Sequence, residues 1–157
     1  MKLNNKSIKN EYWAYLAGLI EGHGSFSIKY SNNEFSCSVT ICASHPKLLN
    51  WLLENFGGKT ITYSSKKNPN TGHRYWSAKC KDIINICKNI SIYTKAKTEH
   101  CKIMIEMREL VEIPRSVGTP LEIWEHDERL RLHNEMKLIN IKFHRAKISD
   151  WELINND

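Results

Sequence analysis

"YLAGLIEGHGSFSI", residues 15–28, changes character twice within a short run. An apolar, helix-like stretch stops at Glu21-Gly22-His23-Gly24, and an alternating Ser/Phe/Ser/Ile stretch begins at once. Extended back to Asn10, the first half reads as a helix, with Asn10 placed to cap it and Gly22 or Gly24 to end it. Ala14, Gly18 and Gly22 recur every four residues, which on a helix makes a stripe with almost no side chains. A glycine inside a helix costs about 1 kcal/mol relative to alanine, and a second backbone packed closely along the stripe would offset that.

Beyond this stretch the same order of elements occurs twice. "GSFSIKY" and "FSCSVTICA" read as two strands joined by the turn-forming "SNNE". Ser44 is placed to cap "HPKLLNWLLENF", whose Leu48, Leu49, Leu52, Leu53 and Phe56 form one apolar face, and Gly57-Gly58 stops it. "KTITYSS" and "HRYWSAKC" form a second hairpin around the turn-rich "KKNPNTG". Helices follow in "KDIINICKNI", in "KTEHCKIMIEMRELVEI" and, after Pro120, in a stretch of mixed charge. The fold expected is α+β: an αββαββα core with a four-stranded antiparallel sheet and helices on one face, plus C-terminal helices. One domain of 157 residues is expected, its core at about 10–113 and its helical extension at about 114–147.

The two parities of the strands differ in kind. Phe26, Ile28 and Tyr30, then Phe35, Cys37, Val39 and Ile41, then Ile61 and Tyr63, then Trp76, Ala78 and Cys80 make the expected core side. The other parity holds Ser25, Ser27, Lys29, Ser36, Ser38, Thr40, Thr60, Thr62, Ser64, His73, Tyr75, Ser77 and Lys79, without a carboxylate. Such a face suits phosphates and base edges, which β-ribbons reach in a major groove. The alternative is a plain solvated face of β-favouring Ser and Thr. Trp13, Trp51, Trp76 and Trp124 are assigned to the core.

Composition bounds the function. The net charge of +6 is uneven: residues 1–100 carry 14 Lys/Arg against 6 Asp/Glu, residues 101–157 carry 9 against 11. A basic body points to a polyanionic partner. The longest apolar run is Tyr12 to Ile20, far short of the about 20 residues that span a bilayer, so no membrane partner is expected. The N-terminus has neither signal-peptide nor transit-peptide pattern, and the five cysteines lack metal-ligand spacing, so an intracellular protein with reduced thiols is expected. Ile, Lys and Asn make up 50 residues, all with AT-rich codons, which fits an organellar (mitochondrial or chloroplast), phage or bacterial gene.

"LAGLIEGHG" at 16–24 resembles the signature of LAGLIDADG homing endonucleases, with identity at Leu16, Ala17, Gly18, Leu19, Ile20 and Gly24. The order of elements over 10–113 is similar to that family's core. The resemblance implies a single-signature chain acting as a homodimer, with the Ala14/Gly18/Gly22 stripe as the contact. It implies a basic β-saddle over double-stranded DNA, and hydrolysis of both strands at a long, near-palindromic site. Mg²⁺ or Mn²⁺ would be held at the end of the signature helix, at Gly22 and His23.

That last position departs from the family, which places Asp or Glu where this chain has His23. Divalent metals lower the pKa of the attacking water and stabilise the leaving oxygen, and Mg²⁺ prefers carboxylate and water oxygens to an imidazole nitrogen. Glu21 lies about 200° around the helix from His23 and so faces away from it. By resemblance, His45 sits where the family organises water, and Lys95 (the better match) or Lys97 where it places a lysine near the scissile phosphate. Their plainer readings are a residue at a helix start and solvated charges. Two functions therefore stand open: a homing endonuclease with cleavage weakened or lost, or a non-catalytic binder of structured RNA, as a splicing maturase or ribonucleoprotein component, with no metal.

Overall fold

The computed structural model describes residues 8–43, 45–65, 68–116 and 118–154; for 64, 65, 68–72 and 145–154 only the backbone is described. The elements run α1 (Asn10–His23), β1 (Gly24–Ser31), β2 (Glu34–Cys42), α2 (Pro46–Phe56), β3 (Lys59–Ser65), β4 (Asn68–Ser77), a 3-10 turn at Cys80–Asp82, α3 (Ile83–Ile90), α4 (Thr98–Val111) and α5 (Ile123–Ile154). The strands form one antiparallel sheet in the order β1-β2-β4-β3. The α+β expectation holds.

Apolar periodicity builds the helical layer. Trp13, Leu16, Ala17 and Ile20 of α1 are buried with Leu49, Leu52 and Phe56 of α2 against the sheet residues Phe26, Val39, Ile41 and Trp76. Ile83, Ile86, Cys87 and Ile90 of α3 and Cys101, Met104 and Met107 of α4 complete the core. On α5 the buried stripe is Glu125, Arg129, Leu132, His133 and Met136. Arg115 pairs with its Glu125, and Arg129 donates through Nη2 to the Leu110 carbonyl at 2.8 Å while its buried Nε has no hydrogen-bond partner among the described residues. Trp124 lies one residue off that stripe, about 100° around the helix, and is 54% exposed, so its assignment to the core is corrected.

Gly24 allows the abrupt exit from α1 into β1. A Cβ there would lie 2.6 Å from the Ile20 Cα and 2.7 Å from its carbonyl oxygen, so only glycine lets the strand leave this close to the helix. At the start of α1, Asn10 is the first helical residue, and the cap position falls to Lys9, whose side chain makes no capping bond. His45 caps α2 by accepting the Lys47 N–H at Nδ1, 3.2 Å. Ser44, expected in that role, lies outside the described residues, as does the side chain of Trp151.

β4 begins at Asn68, so residues 68–72 are strand rather than turn. Ladder bonds between backbones carry the hairpin on through a stretch whose side chains read as a loop.

Candidate nucleic-acid interface

Strand register decides which side chains share the polar face. Ser25 pairs with Thr40, Ser27 with Ser38 and Lys29 with Ser36, and Thr40 in turn pairs with Ser77 of β4. His73, Tyr75 and Ser77 therefore join the same face. On β3 the expectation fails. Lys59 pairs with Ser77, Ile61 with Tyr75 and Tyr63 with His73, so Lys59, Ile61 and Tyr63 lie on the polar face. Thr60 and Thr62 pair with Trp76 and Arg74 and lie on the helix side; Ser64 shares their parity, its side chain being outside those described. β3 is an edge strand whose Thr60 and Thr62 are exposed even there, so polarity did not reveal its register.

The face so assembled is a groove of about 580 Å³. Lys29, Lys59 and Lys79 stand around it over a floor of Ser25, Ser27, Ser38, Thr40 and Ser77. Tyr63 and Tyr75 meet edge-on at 5.4 Å, and Tyr63 is 61% exposed. Glu34, paired with Ser31 at the β1–β2 turn, is the one acid of this parity among the described sheet residues. Lysines ring hydroxyls and aromatic edges. Lys59 was not foreseen; it followed from the β3 register alone.

At the foot of α1, groups adjacent in sequence separate in space. His23 is the last helical residue and is exposed. Glu21 points the other way, as its helical angle requires, and its carboxylate accepts the backbone N–H groups of Lys95 (3.0 Å), Ala96 (3.2 Å) and Lys97 (3.0 Å). Lys97 is 5% exposed and donates its ammonium to the carbonyls of Ile20 and Gly24, both at 2.6 Å. That ammonium also lies over the Phe143 ring at 5.1 Å. Lys95 is exposed on the loop Glu21 holds. The two candidate lysines thus divide: Lys97 is built into the fold and Lys95 faces solvent.

A model of the LAGLIDADG endonuclease family matches residues 16–107, more than half of the chain. The protein belongs to the LAGLIDADG endonuclease family. No curated protein matches it in sequence. Among solved structures it is similar to the homing endonuclease I-CvuI in complex with its target in the presence of Ca, with a TM-score of 0.65 and 15% identity over 83% of this chain and 82% of that one. I-CvuI with the I-CreI target in the presence of Mg, its DNA not cleaved, gives a TM-score of 0.60 and 12% identity over 85% of each chain. The LAGLIDADG homing endonuclease I-GzeII in complex with a DNA target gives a TM-score of 0.60 and 22% identity, covering 83% of this chain and only 44% of that longer one. These likenesses show the fold.

Whether this LAGLIDADG chain suits a divalent metal can be tested on its own donors. Both Glu21 oxygens are already engaged by amides, and His23 offers nitrogen rather than oxygen. Among the described residues no three His, Cys, Asp or Glu side chains stand together as a metal site. The foot of α1 does not fit Mg²⁺. The thiols offer nothing there either: Cys37, Cys87 and Cys101 are buried, and burial pushes the Cys37 thiol up to about 11, against a smaller pull from Arg108. No described helix is long and apolar enough to cross a membrane.

Proposed function

We propose that this LAGLIDADG chain binds double-stranded DNA as a homodimer, through the lysine-ringed sheet face, and cleaves it weakly or not at all in Mg²⁺. The observation that carries the reading is that face: Lys29, Lys59 and Lys79 around serines and threonines, with a lone carboxylate at its far turn. Phosphate contacts of this kind supply most of the affinity, and hydroxyls and aromatic edges can read bases. Relatives of the same fold were solved on DNA targets.

Pairing is supported by two glycines the isolated fold does not need. A Cβ at Gly18 or Gly22 would meet nothing within 4 Å, and both are exposed beside half-exposed Ala14 and Leu19. Helical glycine weakens α1 unless another backbone lies against it. The weak-cleavage part rests on the failed metal fit at His23 and Glu21, and it keeps the non-catalytic RNA-binding reading in view. The AT-rich residue usage supports an organellar gene.

The test is binding to a DNA duplex over a salt series. Lys59→Ala and Lys79→Ala should each weaken binding and lower the salt slope by about one unit. Thr62→Ala, on the opposite face, should leave both unchanged. If Thr62 matters and Lys59 does not, the face is wrongly assigned; tighter binding to structured RNA would favour the second reading.

A further inference from the structure

The outer side of β1 is closed by side chains rather than by another strand. Lys97 donates to the Gly24 carbonyl at 2.6 Å and Asn140 to that of Phe26 at 3.1 Å. His133 Nδ1 lies 2.8 Å from the Ile28 oxygen, and because a carbonyl only accepts, that nitrogen carries the proton. Three alternate carbonyls of the edge are thus met in turn. Asn140 and His133 stand two turns apart on α5, so this helix lies where a fifth strand would pair, and it is held to the sheet by directional bonds.

The seam between β1 and α5 opens as a groove of about 580 Å³, lined among others by Ser27, Lys29, Ser31, Lys137 and Asn140. Ser27 and Lys29 also line the groove over the sheet, so the two grooves run into each other. Along α5 the charge is segregated. Ile123 to Glu135 contains Glu125, Asp127, Glu128 and Glu135 against Arg129 and Arg131, and Glu128 and Glu135 are both engaged by Arg131. The rest of α5, 136–154, contains Lys137, Lys142, Arg145 and Lys147, with its two carboxylates, Asp150 and Glu152, near the far end. From this stretch Met136, Lys137 and Asn140 line the seam, and exposed Lys137 stands across it from Lys29.

We infer that the β1–α5 seam is a second track for the phosphate backbone of duplex DNA, continuous with the sheet face through Lys29 and ending on Lys137. It rests on the DNA-binding reading above and extends it: α5 widens the floor of the interface beyond the sheet. Continuity of the two grooves and charge complementarity select this occupant, since no carboxylate lines the seam.

The test compares Lys137→Ala, Lys137→Glu and Lys59→Ala with wild type, by fluorescence anisotropy on a mixed-sequence DNA duplex across a salt series, with melting curves to check folding. Lys137→Ala should lower the log–log salt slope by about one unit and Lys137→Glu by more, with unchanged melting. Wild-type affinity and slope in both Lys137 variants, alongside weaker binding by Lys59→Ala, would overturn the seam while leaving the sheet face standing. No effect from Lys59 or Lys137 would overturn both. A Lys137 effect on structured RNA but not on duplex DNA would overturn the partner assigned here.

Discussion

The side chain of Lys97 donates to the carbonyl of Gly24 at 2.6 Å, across 73 residues of sequence, and so ties the α3–α4 loop to the point where α1 becomes β1. The same ammonium donates to the Ile20 carbonyl at 2.6 Å, as a second donor beside the Gly24 backbone N–H that closes α1. Replacing Lys97 by Met keeps the chain length but removes the charged donor from both carbonyls, leaving Ile20 with the Gly24 N–H alone. A stability loss of about 2–4 kcal/mol is expected, from hydrogen bonds to a charged donor inside the fold. Urea denaturation checks it, with exposed Lys95→Ala as the control, expected within about 0.5 kcal/mol of wild type.

Glu21 holds the same loop from the other side. Glu21→Gln retains one acceptor oxygen where two served three amides, so the loop should open locally more often. Hydrogen exchange at the amides of Lys95, Ala96 and Lys97 should accelerate by at least about tenfold, equivalent to about 1.4 kcal/mol of lost protection. Unchanged exchange there would contradict the clamp.

Gly18→Ala and Gly18→Leu should separate the needs of one chain from those of two. A Cβ at Gly18 meets nothing within 4 Å in the isolated fold, and alanine should stabilise the helix by about 0.5–1 kcal/mol. Light scattering should show both variants less dimeric than wild type, Leu more severely than Ala. A wild-type protein that stays monomeric at all concentrations and with DNA present would refute the pairing.

His23→Asp places carboxylate oxygens at an exposed position in the last turn of α1. Single-turnover cleavage of supercoiled plasmid in Mg²⁺ should be weak or absent in wild type and should rise by several orders of magnitude in the variant if the rest of the site is intact. Efficient wild-type cleavage that His23→Ala abolishes would show the imidazole itself at work.

His100 makes stability depend on pH. It is 4% exposed between Phe26 and Phe143, and its Nδ1 has no hydrogen-bond partner. Burial, and then the Lys97 ammonium, hold its pKa below the usual 6.5, while Asn140, Glu99 and Glu21 pull more weakly the other way. The unfolded chain therefore takes up this proton before the folded one does. Stability from this group is complete above about pH 6.5 and is lost as the pH falls below it, towards the folded-state pKa. The drop in melting temperature from about pH 7.5 to about pH 5.5 should be smaller in His100→Leu than in wild type.

Much of this was legible because periodicity and turn residues agreed. Leu16, Ile20, Phe26, Val39 and Trp76 lie on the faces that helical and strand parity assign them, and all are buried. β3 misleads because its described residues Thr60, Thr62 and Tyr63 are exposed on both faces, so burial labels neither parity as inside; pairing with β4 does so. The foot of α1 was half legible. The helical angle separated Glu21 from His23, but the amides that Glu21 accepts lie more than 70 residues away. Lys95 and Lys97 share residue type, neighbourhood and loop, and burial alone distinguishes them.

The covered edge of β1 also sets how this sheet can grow. With α5 along one side, β3 is the edge where a strand from another molecule can add, and no described helix runs along it as α5 runs along β1. A unit with one adhesive edge can join one other and is then finished, because continuous strand addition needs two open edges per molecule. α5 is thus a chain terminator for polymerisation: misassociation through the sheet stops at a pair, while a molecule cut short before α5 would carry two adhesive edges and could extend into a fibre.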